Sequence, residues 1–138
     1  MSNILFRISV VLGLIGIGLG IFMGIRQDFS LVPVHAHLNL LGFVGPFLTA
    51  LYYRAFPEAA ATRLAKIQAA LAVVGAILFP IGIACVTLGD HQRYFPIVIV
   101  GALVVFAGMA LFSLVVFQTS AVAQRAHAQP LQASSFKA

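Results

Sequence analysis

Four runs of about twenty apolar residues fill most of this chain and leave it little freedom of architecture: roughly Ile4–Ile25, Val34–Tyr53, Ile67–Leu88 and Phe95–Phe117. A helix needs roughly 20 mostly apolar residues to cross the hydrocarbon core of a bilayer, and each run meets that length. The expected fold is all-α and integral to the membrane, with four transmembrane helices forming one domain over residues 1–120. Composition agrees, since 62% of the 138 residues are hydrophobic and 8% charged, against about a quarter charged in a soluble domain. The first run is longer than the apolar core of a secretory leader, and no small-residue cleavage site with a polar exit follows it. It is therefore expected to be retained as a helix. Residues 121–138 are polar and alanine-rich, and are expected to form a disordered cytoplasmic tail.

The net charge of +5 points to neither nucleic acid nor an acidic substrate, because its information lies in its distribution. Short cytoplasmic loops carry an excess of Lys and Arg. Arg54, Arg63 and Lys66 stand against Glu58 between the second and third runs, and Arg7, Arg125 and Lys137 lie toward the two ends. The other two connections are balanced, Arg26 with Asp28 and Asp90 with Arg93. Both termini are thus expected in the cytoplasm of a bacterial inner membrane, which puts His35, His37 and His91 toward the outer face. All three carboxylates sit in loops, which argues against acid/base hydrolysis. The lone Cys85 permits no intramolecular disulfide and reads as a small hydrophobe.

Helix contacts are foreshadowed by small residues. Gly16, Gly20 and Gly24 recur at four-residue spacing and allow close approach of another helix, either within the chain or between copies of it. Gly75, Gly82, Gly101 and Gly108 offer similar places in the third and fourth runs. Pro46 and Pro80 fall inside apolar runs and predict kinks. Tyr52, Tyr53 and Arg54 read as an aromatic and basic anchor at the cytoplasmic interface.

The chemistry is concentrated in Val34-His35-Ala36-His37-Leu38-Asn39-Leu40-Leu41-Gly42-Phe43. Ionisable groups at membrane depth are costly and mark functional sites with a partner. Residues two apart on a helix lie about 200° apart around its axis, so His35 and His37 face different flanks and do not chelate one ion together. Asn39 lies one turn from His35 on the same face. Each histidine could simply hydrogen-bond a neighbouring helix. As ligands, neutral imidazoles suit Zn, Cu and Fe, but the scarcity of Cys, Met and carboxylate nearby argues against a closed four-ligand ion site. Haem iron needs only one or two axial histidines and an apolar slot. His91, beside Asp90 and Arg93, reads as a solvated loop residue, and His127 in the tail as no site.

The run Pro33–Phe43 followed by Tyr52-Tyr53 resembles the second helix of the catalytic subunit of haem–copper oxidases, in its cbb-type and nitric oxide reductase variants. His35 matches, by its spacing to Gly42 and Tyr53, the histidine that ligates low-spin haem b there. The His-x-His pair is similar to the family's tenth helix, whose two histidines serve haems on opposite flanks. The family's subunit has twelve helices in three arcs of four, so four helices amount to one arc. The resemblance implies a homotrimer holding haem b between neighbouring chains, with His35 from one and His37 from the next. It implies one-electron transfer, with a membrane quinol or an outer-face protein as redox partner and the lipid bilayer as surroundings. Asn39 and Gly42 would border the cofactor, and Arg26 and Arg93 would pair with its propionates. The family's copper site needs further histidines that the other three runs lack, so reduction of oxygen or nitric oxide at a binuclear centre is not expected. Two other readings stay open: a copper- or zinc-binding membrane protein using His35, His37 and His91, and a non-catalytic subunit or assembly partner of a respiratory complex.

Overall fold

The computed structural model of the protein describes residues 1–120, and the expected tail over residues 121–138 lies outside them. Every apolar run forms a helix: α1 is Ser2–Arg26, α2 is Val32–Ala55, α4 is Arg63–Leu88 and α5 is His91–Ser120. A short α3, Pro57–Ala61, joins α2 to α4. The four longer helices are long and apolar enough to cross a membrane. Each extends the predicted span by one to four residues at one end or both, because capping residues and polar first turns continue the backbone pattern beyond the apolar core.

The ends have local causes. Gln27 closes α1 in the left-handed conformation (φ 52°), with its N–H bonded to the Met23 carbonyl and its side-chain amide donating to the Gly24 carbonyl at 2.6 Å. These contacts satisfy carbonyls that a helix end otherwise leaves open. At the start of α4, Thr62 Oγ1 accepts from the Ala65 N–H at 3.2 Å, an N-cap interaction. Pro33 occupies the first turn of α2, where its missing N–H costs nothing.

Helix α2 is not uniform. Leu38–Val44 is a π-helical segment, and the Gly45 N–H bonds to the Leu40 carbonyl five residues back. Pro46, next along the chain, has no N–H to offer the Gly42 carbonyl, so the α ladder is already broken there. Where the sequence predicts a kink at Pro46, the backbone takes a wider turn on the N-terminal side of that residue.

The helices pack in a row, α1 on α2, α2 on α4, and α4 on α5 most extensively. Close approach of α4 and α5 relies on Gly75, Gly82 and Gly101, where an added Cβ would fall 2.8–3.0 Å from atoms of Val105, Val98 and Phe79. At Gly108 the neighbours stand at ordinary contact distance. The core lies toward the end carrying α3. There Leu5, Ala50, Tyr53, Ala59, Ala65, Ala69 and Val115 are buried together. Tyr53, expected at an interface, is instead 1% exposed and donates from Oη to Gln68 Oε1 at 2.8 Å. Burying the ring removes apolar surface from solvent, and the hydroxyl finds its partner on α4. Arg54 remains exposed, its guanidinium 6.0 Å from the Phe6 ring centre.

Candidate functional site

The histidines sit in the first turn and a half of α2, close to the two connections, Gln27–Leu31 and Gly89–Asp90, that join the helices at that end. His35 turns toward α1. Its Nδ1 lies 2.8 Å from the Gly16 carbonyl oxygen. A carbonyl can only accept, so Nδ1 carries the proton and Nε2 of the neutral ring carries the lone pair. Asn39 Nδ2 stands 3.3 Å from the same Nδ1, but two donors cannot share that bond. Its amide instead donates to the His35 carbonyl at 2.9 Å.

His37 turns the other way, toward α4. Its ring meets Phe79 edge to face, with ring centres 4.9 Å apart. Its Nδ1 bonds to the Pro33 carbonyl at 2.6 Å, one turn back on its own helix. That acceptor fixes the same tautomer. Both imidazoles therefore hold Nδ1–H on a backbone carbonyl and keep Nε2 for something else. Neither Nε2 has a hydrogen-bond partner among the described residues, and neither is sealed from the surface.

The contact with α1 is built from glycine. Gly13, Gly16 and Gly20 face Phe43, Asn39 and His35 in turn, and a Cβ at any of the three would lie 2.6–2.9 Å from those side chains. Of the three glycines expected on one face, Gly16 and Gly20 thus serve packing within the chain. Gly24, like Gly18, has nothing within 4 Å. Gly42 is buried against Leu12, whose Cβ would stand 3.1 Å from an added methyl. Within one chain its space belongs to α1.

The other candidates are placed at the periphery of this end. Arg26 closes α1 and is exposed. Asp28 accepts from the Ser30 N–H at 3.0 Å, and this bond, aided by Arg26, holds its carboxyl below the usual value of 3.8. Asp90 caps α5, accepting from the backbone N–H of Gln92 at 3.0 Å and of Arg93 at 3.4 Å. The Arg93 guanidinium lies 5.8 Å from the Tyr94 ring centre. His91 is exposed and stacks on Phe95, ring centres 5.1 Å apart. Among the described residues no three of His, Cys, Asp and Glu come together in a group able to hold a metal ion.

Gln68 escaped the sequence reading. The available signal was a lone amide inside an apolar run, which needs a partner wherever it is buried. No family model, no curated protein and no solved structure matches this chain.

Proposed function

We propose that this chain is an integral membrane protein that binds haem b between copies of itself, with His35 and His37 as axial ligands on different sites. The observation that carries the reading is the shared state of the two imidazoles, Nδ1–H held by a backbone carbonyl and Nε2 open. Metal-ligating histidines almost always donate their other ring N–H in this way, which fixes tautomer and orientation and raises ligand basicity. The two rings lie against different neighbouring helices, so one chain offers one ligand to each of two sites.

The row of helices favours the same reading. Its two ends are different surfaces, and unlike surfaces joined head to tail give a ring of copies where the rotation between them closes. A homotrimer with a haem between neighbours would complete each pair of histidines, as the likeness to one arc of the haem–copper oxidase subunit implies. When bound, haem would supply a one-electron couple, and His35 and His37 of neighbouring chains, both holding it, would suit it to electron transfer rather than gas activation. The chain's own contribution is to hold the imidazoles and to keep water from the iron with the apolar side chains of α1, α2 and α4. Arg26 and Arg93, at the same end as the histidines, would pair with the propionates. Both termini would face the cytoplasm.

The test is the visible spectrum of the detergent-purified protein, oxidised and reduced, with and without carbon monoxide. A sharp Soret band, lost in His35→Ala and His37→Ala and unmoved by carbon monoxide, is expected. A colourless protein carrying stoichiometric copper or zinc would sink the reading. So would a homogeneous colourless oligomer to which added haem does not bind.

A further inference from the structure

The end of the bundle opposite the histidines carries an open groove of about 550 Å3. Four helices meet there: Ser2 and Asn3 come from the first turn of α1, Arg54 from the last turn of α2, Pro57 and Ala60 from α3, and Lys66 from the first turn of α4. Its two charged side chains, Arg54 and Lys66, are both cationic and exposed. No carboxylate lines it. The sequence holds three in all: Asp28 and Asp90 lie in the connections at the histidine end, and Glu58, although on α3, stands outside the groove.

Water can meet exposed cations, so what selects an occupant here is the sign and placing of the charge. Two cations brought to one groove by different helices, with no carboxylate between them, repel each other and attract an anion. Arg54 offers a planar fork that matches phosphate oxygens, and Lys66 a point charge. The surroundings then favour a lipid over a free ion. Ile4, next to Asn3, is 61% exposed, and Ile67, next to Lys66, is 54% exposed. Cationic and apolar surface thus adjoin at the ends of helices long enough to cross a membrane. That pattern matches an amphipathic anion, and basic pockets between membrane helices are known to take anionic headgroups.

We propose that this groove binds the headgroup of an anionic glycerophospholipid, whose phosphate oxygens accept from Arg54 and Lys66 and whose acyl chains lie against Ile4 and Ile67. The proposal does not depend on haem at His35 and His37, which lie at the other end of the helices.

Titration of the delipidated full chain in uncharged detergent with palmitoyl-oleoyl phosphatidylglycerol, followed by native mass spectrometry, tests it. Saturation at one lipid per chain is expected, with affinity on the order of tenfold above that for the matching phosphatidylcholine. Arg54→Gln and Lys66→Gln should each weaken phosphatidylglycerol binding on the order of fivefold. Both side chains are exposed, so the fold is kept, which a circular-dichroism melt verifies. Arg63→Gln removes the same charge from the same helical turn as Lys66 but from outside the groove, and should bind as the parent does. Equal affinity for the two lipids, or an equal loss in Arg63→Gln, would overturn the proposal and leave only the general attraction of basic residues to an anionic surface. Displacement of the lipid by equimolar inorganic phosphate would also overturn it, and would give the groove to a free anion instead.

Discussion

Gly20 and the ring of His35 compete for one space: a Cβ at position 20 would lie 2.6 Å from His35 Cε1 and 3.0 Å from Nδ1. One turn earlier on α1, Gly16 supplies the carbonyl that holds the same Nδ1. Helix α1 thus sets both where the imidazole can sit and which of its nitrogens is protonated. That arrangement makes a glycine substitution on one helix a test of the proposed ligand on another.

Gly20→Ala should push the His35 ring from the Gly16 carbonyl. The ratio of Soret to protein absorbance should fall several-fold, and imidazole nitrogen shifts should report a changed tautomer. Gly18→Ala is the control, because nothing lies within 4 Å of that position. It should leave the spectrum intact and stabilise the helix by about 0.5–1 kcal/mol. A normal spectrum from Gly20→Ala would show that His35 placement does not rest on α1.

Mixing experiments separate sites between chains from sites within one. His35→Ala and His37→Ala chains should each fail to bind haem alone. Co-expressed and randomly mixed, they should recover roughly a quarter of the interfaces in a head-to-tail ring, since one variant keeps His37 and the other His35. No recovery would place both ligands of a haem on the same chain.

The buried Tyr53–Gln68 pair predicts strong non-additivity. Tyr53→Phe leaves the amide oxygen without its donor and should destabilise by about 1–3 kcal/mol. Adding Gln68→Met should recover most of that loss, because neither polar group then remains. A double-mutant cycle on chemical unfolding in detergent measures the coupling, and additive losses would contradict it.

Asp28 provides a pH signature outside the helices. Its carboxyl is held below 3.8 in the folded chain, first by the Ser30 hydrogen bonds and then by Arg26. A group whose folded value is depressed adds its stability above the unfolded value and loses it as the pH falls toward the folded one. The difference in melting temperature between the parent and Asp28→Asn should therefore shrink below about pH 4. Carboxyl-carbon shifts of Asp28 should still report an ionised group near pH 3.8. A midpoint at or above the usual carboxylate value would contradict the bond to Ser30.

Much of the architecture was legible because length and hydropathy alone fix how many helices can cross a bilayer. Ile67–Leu88 and Arg63–Leu88 differ only by a polar first turn that Thr62 caps. The opposed directions of His35 and His37 were equally legible, as a consequence of helical period. What stayed hidden depends on neighbours. Tyr53 looks like an interfacial anchor in sequence, and only the arrival of Gln68 from α4 makes its burial affordable. Gly42 looks like room for a flat ligand until Leu12 fills it. The π segment was hidden for another reason: Pro46 announces a broken ladder, but the way the backbone absorbs the break is decided by packing on both sides.

That wider turn changes what one helix can do. Leu38–Val44 separates the histidines from Tyr53, and each bond spanning five residues rather than four admits one residue more than an α turn would. The two halves of α2 are thereby offset in phase from what one continuous α-helix would give. The first half can aim its imidazoles at α1 and α4, while the second keys its phenol into Gln68. A single-residue deletion between 38 and 44 would lock the halves into one phase, and either the histidines or the tyrosine would lose its address.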